Sequence, residues 1–218
     1  MDRNYWIKKW ETADTRFHKA ETNPNLLKAQ KHISPGTVFL PLCGKSLDMD
    51  WLEKQRHKVI GVELSPIACK SFFEETGRSY DVSKNGEFTV FSGENITLWC
   101  GDFFKFDGQA LKGVTSVFDR AALVALPSES RTLYAKHIAN ILKGLDSVRL
   151  ILVTIEYDQT LVEGPPHSVP ESEVRILFSD SFSVELLERH EDVDLKNGHP
   201  KFKGLSELSE CIYLLASR

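Results

Sequence analysis

The chain of 218 residues lacks several features that would assign it to other classes of protein. No apolar run approaches the ~20 residues that a membrane-spanning helix needs. The formal net charge is -4, so no positive excess favours nucleic acid or anionic lipid as a partner. The first ten residues, MDRNYWIKKW, carry charges throughout and have none of the apolar character of a secretory signal. We therefore expect a soluble protein that binds neither nucleic acid nor membranes.

Cysteine pairs and metal-ligand patterns are absent as well. The four cysteines are scattered without a CxxC pair: Cys43, Cys69, Cys100 and Cys211. This spacing predicts reduced thiols and a cytoplasmic location. The histidines show no metal-like spacing, and no Ser/His/Asp order or paired-carboxylate site stands out. We expect no bound metal and a reaction that needs little proton transfer.

Strand and helix patterns alternate along the chain. Five short apolar runs are typical of buried strands, at 37–42, 57–64, 96–100, 114–118 and 148–155. Strands that alternate with helical segments predict parallel βαβ units, here in one α/β domain spanning 1–218. The late strands 182–189 and 211–216 should pair antiparallel, and 79–95 is interpreted as a hairpin insertion. Residues 1–33 read as an amphipathic helical segment that is broken near Asn23-Pro24.

A doubly wound sheet places its ligand at the carboxyl ends of its strands. The first strand runs into the turn Leu42-Cys43-Gly44-Lys45-Ser46, where glycine would let the backbone approach a ligand. Gly-Lys-Ser suggests a phosphate-binding loop, but that motif requires glycine where Phe39 stands. The GxGxxG dinucleotide motif is also missing. An ordinary strand-to-helix turn remains the alternative.

Two acidic residues follow further strands. Glu63 ends the second strand about 20 residues after the glycine turn, where a carboxylate can accept hydrogen bonds from ribose hydroxyls. Its alternative role is to cap the helix that starts at Pro66. Asp102 follows the third strand and could reach the exocyclic amine of an adenine, or it could be a solvated turn residue.

Arg120 and a tryptophan pair are the remaining candidates. Arg120 closes the fourth strand, and its planar guanidinium could hold a carboxylate of a cofactor or substrate. The alternative is a surface ion pair with Asp119, which contributes little. Trp6 and Trp10 share one helix face, which indicates core packing or an aromatic lid over a ligand.

Taken together, these segments resemble the thiopurine S-methyltransferase family in its bacterial form. The matching stretches occur in the family's order: YWIKKW, VFLPLCGKSLDMDWL, HKVIGVELS, LWCGDFF, FDRAALVALP and EYDQTLVEGPPHSVPESEV. The resemblance implies a class I methyltransferase that uses S-adenosylmethionine. Its fold would be a doubly wound, Rossmann-like, mostly parallel seven-stranded sheet, with residues 1–33 as an N-terminal helical lid. We expect it to act as a monomer on a small-molecule thiol.

The resemblance also implies which residues contact the cofactor. These are Trp10, Leu42, Glu63 and Arg120, with Asp102 and Phe103 at the turn that meets the adenosine. On the acceptor side, Phe17, Pro165 and Pro166 would supply apolar walls, and Arg120 could hold the developing anion. Two features depart from the family pattern on that side: His167, where relatives commonly carry an aromatic residue, and Lys201 with Lys203 in a late loop that often carries arginine.

The expected reaction is in-line transfer of the sulfonium methyl group to a thiolate, which needs alignment and desolvation more than a general base. Thiopurines, aromatic thiols and reduced selenium or tellurium species all fit this chemistry. Two other interpretations remain at this point. One is an NAD-dependent dehydrogenase that uses Glu63, against which the missing GxGxxG counts. The other is a non-catalytic sensor of adenosyl ligands.

Overall fold

Nine strands form one sheet in the computed structural model, which describes residues 3–191 and 200–218. The strands are β1 (Thr37–Pro41), β2 (Lys58–Glu63), β3 (Asp81–Asn85), β4 (Phe88–Ser92), β5 (Ile96–Cys100), β6 (Val114–Arg120), β7 (Arg149–Glu156), β8 (Phe182–Glu191) and β9 (Ser209–Ser217). The α-helices are α1 (Arg3–Glu11), α2 (Pro24–Ala29), α3 (Asp48–Lys54), α4 (Pro66–Glu75), α5 (Ser128–Ile141) and α6 (Glu171–Phe178). Short 3-10 helices span Gln30–His32, Phe103–Lys105, Gln109–Leu111, Leu123–Ala125 and Pro200–Phe202.

The strand order is β3-β4-β5-β2-β1-β6-β7-β9-β8, and the five central strands from β5 to β7 pair in parallel. The chain adds strands in one direction from β1 to β5 and in the other direction from β6 onward. The order therefore reverses between β1 and β6, which confirms the predicted doubly wound α/β fold. The antiparallel pairing of β8 with β9 is confirmed as well.

The number of strands is nine rather than the predicted seven. The predicted hairpin in 79–95 exists, but it extends the main sheet because β4 pairs antiparallel with β5. Phe88, Val90 and Phe91 of β4 are buried, so the strand contributes to the core. β3 then lies at the sheet edge and is exposed along its whole length.

Apolar side chains cover both faces of the sheet. On one face, Tyr134 and Ile138 of α5 and Phe178 of α6 pack into the core. On the other face, Leu52 of α3 and Phe72 of α4 do so. All four cysteines are buried free thiols. None of the helices that the structure describes has both the length and the apolar character needed to cross a membrane.

The N-terminal segment is less helical than the sequence pattern suggests. An irregular stretch, 12–23, separates α1 from α2. Asn23 is extended, accepts a hydrogen bond from the Asn25 N–H, and so caps α2, whose first residue is Pro24. Ala13 adopts a left-handed conformation with φ 54°, which turns the chain after α1. The irregular stretch returns to the carboxyl ends of the central strands.

Asp119 fixes the end of β6. Its fully buried carboxylate accepts hydrogen bonds from the Tyr134 hydroxyl at 2.7 Å and from the Leu123 N–H at 3.2 Å. Burial raises the pKa of Asp119 to about 6, although these hydrogen bonds oppose the rise. Because side chains alternate along a strand, burying Asp119 on one face directs Arg120 to the other. In the structure Asp119 is thus bonded to α5 and its loop, and not to Arg120 in a surface ion pair.

We predict that Asp119 makes stability depend on pH in a defined direction. The folded-state pKa, about 6, lies above the ordinary value of 3.8, so ionisation is disfavoured in the folded state. The protonated form of Asp119 therefore stabilises the folded protein. This contribution is fully present below pH 3.8 and is lost as the pH rises through 6, which lowers the free energy of unfolding by about 3 kcal/mol. Denaturant unfolding of wild type and Asp119→Asn at pH 4, 5, 6 and 7 should show wild type losing stability relative to the variant. A difference that does not change with pH would contradict this.

Candidate active site

A cavity opens at the carboxyl ends of β1, β2 and β6, beside the point where the strand order reverses. The sheet supplies its floor and the N-terminal segment supplies its cover. The side chains that matter for chemistry come from both: Trp6, Trp10, Phe17, His18, Lys45, Glu63 and Arg120. Sequence positions that are far apart therefore meet where a doubly wound fold binds its ligand.

The turn after β1 has an unusual backbone. Leu42 adopts φ 46° and Gly44 adopts φ 56°, both in the left-handed region. A non-glycine residue there is strained, and such strain concentrates at functional sites. The Cys43 N–H donates to the Val62 carbonyl at 3.0 Å, which keeps the turn attached to β2. The backbone at 42–44 is thereby presented to the cavity.

Glu63 joins this turn to the next one. One carboxylate oxygen accepts the Gly44 N–H at 2.9 Å and the other accepts the Ser65 N–H at 2.7 Å. The side chain is buried, and burial raises its pKa while the backbone N–H groups lower it. Ser65, not Glu63, caps α4 through its side chain. Glu63 is therefore a buried acid that faces the cavity and holds both turns.

The N-terminal segment closes over the turn through aromatic contacts. A Cβ added to Gly44 would lie 3.2 Å from Cζ2 of Trp10, so the indole rests directly on the glycine. Phe17 makes edge contacts with Trp6 and Trp10, at centroid distances of 5.5 Å and 5.3 Å. Trp10 is almost fully buried, whereas Trp6 and Phe17 are half-buried along the cavity.

Positively charged side chains also line the cavity. Arg120 Nη1 donates to the Phe17 carbonyl at 3.4 Å, which ties the end of β6 to the N-terminal segment. Lys45 pairs with Glu75, with Nζ 2.6 Å from Oε1. His18, directly after Phe17, lines the same cavity, where burial and the charges of both cations lower the pKa of its ring. Lys45 belongs to the predicted Gly44 turn but was given no role of its own, and His18, which follows the predicted Phe17, was not predicted.

Asp102 and Phe103 lie outside the lining of this cavity. Asp102 accepts a hydrogen bond from Arg3 at 3.2 Å and caps the following turn by accepting the Phe104 N–H at 3.0 Å. The Phe103 side chain is buried against Tyr134 and His137. Asp102 thus reaches the N-terminal segment, while the ring of Phe103 belongs to the core.

Pro165 and Pro166 also lie apart from the cavity lining. Their carbonyls accept hydrogen bonds from Lys201 Nζ at 3.0 Å and from the Tyr157 hydroxyl at 2.7 Å, respectively. The loop borders a second, more open cavity that His167 lines. Lys203 is exposed. The residues just before Lys201 in the late loop, 192–199, lie outside the described residues.

Comparisons with known proteins identify the relatives of this chain. The family described as Thiopurine S-methyltransferase (TPMT) matches residues 1–218. Thiopurine S-methyltransferase of Nitrosospira multiformis is 40% identical and covers 100% of this chain and 99% of that protein. The enzyme of the same name from Aliivibrio salmonicida is 41% identical, with 100% of both chains covered.

Solved structures share the fold at low sequence identity. The Burkholderia thailandensis 1,6-didemethyltoxoflavin-N1-methyltransferase, solved with bound 1,6-didemethyltoxoflavin and S-adenosylhomocysteine, has a TM-score of 0.66 at 16% identity, covering 99% of this chain and 86% of that chain. A SAM-dependent methyltransferase from Anabaena variabilis has a TM-score of 0.65 at 14% identity, covering 99% and 95%. These likenesses show the class I methyltransferase fold.

We predict that replacing Gly44 lowers the free energy of unfolding more than replacing a comparable glycine does, because Gly44 contacts Trp10. Gly77 has a similar φ of 67° but no neighbour within 4 Å of an added Cβ, so Gly77→Ala is the matched control. Each substitution should lower the free energy of unfolding by about 1 kcal/mol, because alanine is disfavoured in the left-handed backbone conformation. Gly44→Ala should cost about 1 kcal/mol more in denaturant unfolding because Trp10 must shift. The excess should disappear in a Trp10→Ala background, and its persistence there would exclude this contact as the cause.

Proposed function

The chain belongs to the thiopurine S-methyltransferase family, and we propose that it moves the methyl group of S-adenosylmethionine to the sulfur of thiopurines or other aromatic and heterocyclic thiols. The observation that carries this proposal is the cavity at the carboxyl ends of β1, β2 and β6. There a buried carboxylate, Glu63 at the end of β2, and a guanidinium, Arg120 at the end of β6, line one cavity together with the aromatic side chains of the N-terminal segment. The two charges suit the two polar ends of an adenosyl amino acid.

The residues of the cavity fit this cofactor. The oxygens of Glu63 accept the N–H groups of Gly44 and Ser65, and the Leu64 N–H also stabilises the charged form. The remaining lone pairs of the carboxylate can accept a hydrogen bond from a ribose hydroxyl. Arg120 makes one hydrogen bond to the Phe17 carbonyl, so its other donors are available for a carboxylate. We assign Glu63, Leu42, Trp10 and Arg120 to the cofactor. Asp102 and the Phe103 backbone are assigned to the adenosine side.

The cofactor, when bound, supplies an electrophilic methyl group on a sulfonium. The chain's own contribution is position and environment. Trp6, Trp10 and Phe17 exclude water from the cavity, which strengthens electrostatic interactions inside it. Arg120 offers a fixed positive charge to the acceptor's sulfur or carboxylate. A thiolate held in this way needs alignment more than chemical activation.

Four further proposals concern the surroundings of the site. Residues 3–33 act as a lid, since α1 and the stretch after it cover the cavity through Trp10 and Phe17. The chain is proposed to work as a monomeric single domain. It works in the cytoplasm, a location that suits its four free thiols. Pro165, Pro166 and Phe17 are proposed as apolar walls for the acceptor, with Lys201 holding the proline loop.

The activity is tested by incubating the protein with S-adenosylmethionine carrying a labelled methyl group. A thiophenol should become labelled on sulfur, whereas the matched phenol should not, because the softer sulfur is the better nucleophile. A folded protein that binds S-adenosylhomocysteine but labels no thiol would exclude the proposed activity.

We predict that Glu63→Ala weakens S-adenosylhomocysteine binding by about 1.5–3 kcal/mol, the cost of losing charge-assisted hydrogen bonds. Because Glu63 also holds two backbone turns, calorimetry should compare this ligand with its 2′,3′-dideoxy analogue. Wild type should prefer the ligand with hydroxyls, and a folded Glu63→Ala should bind both alike. Wild-type discrimination in the variant would remove Glu63 from ribose binding.

We predict that Arg120→Lys lowers kcat/KM for an aromatic thiol about tenfold or more, equivalent to about 1.4 kcal/mol of transition-state binding. Lysine keeps the charge but cannot reproduce the planar fork or reach the Phe17 carbonyl in the same way. Thermal melts of Arg120→Lys and Arg120→Ala accompany the kinetics as a control for folding. Full specific activity in a stable Arg120→Ala protein would show that Arg120 holds neither cofactor nor acceptor.

A further inference from the structure

A histidine that the proposed chemistry does not use lines the cavity. His18 is half-buried in the irregular stretch after α1. Its ring makes no hydrogen bond to any residue within 3–191 and 200–218. An imidazole that lines a cavity without a protein partner has its nitrogens available to a ligand.

The position of His18 is fixed although its ring is unpartnered. Its N–H donates to the Thr15 carbonyl at 2.8 Å, which closes a turn. The preceding residue, Phe17, is held by ring contacts with Trp6 and Trp10 and by the hydrogen bond from Arg120 to its carbonyl. The Arg120 guanidinium, which we assign to the cofactor and the acceptor, therefore also anchors the peptide group between Phe17 and His18.

The surrounding charges keep this ring neutral. Burial lowers the pKa of His18, and the positive charges of Lys45 and Arg120 lower it further. The carboxylate of Glu75 acts in the opposite direction, but it is paired with Lys45. At neutral pH the imidazole thus carries one nitrogen that can accept a proton.

We propose that His18 accepts the proton of acceptor thiols that are still protonated at neutral pH, so that the enzyme methylates thiols as well as thiolates. This inference rests on the proposed function. In the step, the S–H bond breaks and its proton moves to the free ring nitrogen of His18. The sulfur forms a bond to the methyl carbon as the sulfonium C–S bond breaks. The neighbouring cations disfavour the imidazolium, so the proton passes on to water.

Two acceptors separate this role from a structural one. Benzyl mercaptan is protonated at neutral pH, and 4-nitrothiophenol is ionised. His18→Gln should lower kcat/KM for benzyl mercaptan about 100-fold at pH 7, the lower range for loss of a general base. It should change kcat/KM for 4-nitrothiophenol less than about threefold, because no proton needs to leave. His32→Gln, outside the cavity, serves as the matched control.

The pH dependence adds a second criterion. The deficit of His18→Gln with benzyl mercaptan should shrink as pH rises toward 9, where the thiol ionises without help. Equal losses for both acceptors, or a deficit that stays constant with pH, would overturn the proposal. If wild type methylates 4-nitrothiophenol but not benzyl mercaptan, only the role of His18 is overturned. If wild type methylates neither, the proposed function itself fails.

A measurement on the wild-type protein does not depend on how the variant folds. Nitrogen-15 NMR of labelled histidines should show the His18 ring titrating below its ordinary value of 6.5. A His18 ring that remains protonated above pH 7 would overturn the proposal.

Calorimetry adds a control for the variant. Wild type and His18→Gln should bind S-adenosylhomocysteine with the same affinity, since His18 is assigned to the acceptor.

Discussion

Both oxygens of one buried carboxylate accept peptide N–H groups from the two loops that frame the cavity, and the rest of the site depends on this arrangement. Glu63 at the end of β2 holds Gly44 at 2.9 Å and Ser65 at 2.7 Å. It fixes the turn after β1 against the start of α4. Because a buried carboxylate is costly unless its hydrogen bonds are satisfied, the two turns and the acid stabilise one another.

A continuous set of contacts starts from this carboxylate. Gly44 provides the surface on which Trp10 rests, and Trp10 packs against Phe17. The Phe17 carbonyl then accepts a hydrogen bond from Arg120 at the end of β6. The contacts run from β2 through the N-terminal segment to β6 and enclose the cavity between them. A site built in this way places a negative and a positive group at a separation that the fold sets.

The sequence predicted the parts of the structure that local patterns determine. Apolar runs located the central strands, and their alternation with helices indicated the doubly wound sheet. The strand count was too low because the pairing of β4 with β5 depends on tertiary burial of Phe88 and its neighbours. Of the predicted site residues, Glu63 and Arg120 converge because both end parallel strands. His18 was missed because its place depends on a long-range contact, the hydrogen bond from Arg120 to the carbonyl of the preceding Phe17. The sequence offered a surface ion pair with Arg120 as the alternative for Asp119, whereas the structure pairs Asp119 with Tyr134 on a distant helix.

If the N-terminal segment closes the cavity by packing on the Gly44 turn, a ligand bound beneath it must stabilise that segment. Hydrogen exchange with and without saturating S-adenosylhomocysteine measures this directly. Amides in 3–23 and 42–46 should exchange about tenfold more slowly with the ligand, equivalent to about 1.4 kcal/mol. Those of β8, at the far edge of the sheet, should not change. Slower exchange at 42–46 with unchanged rates in 3–23 would contradict the account, because the ligand would then bind without the cover.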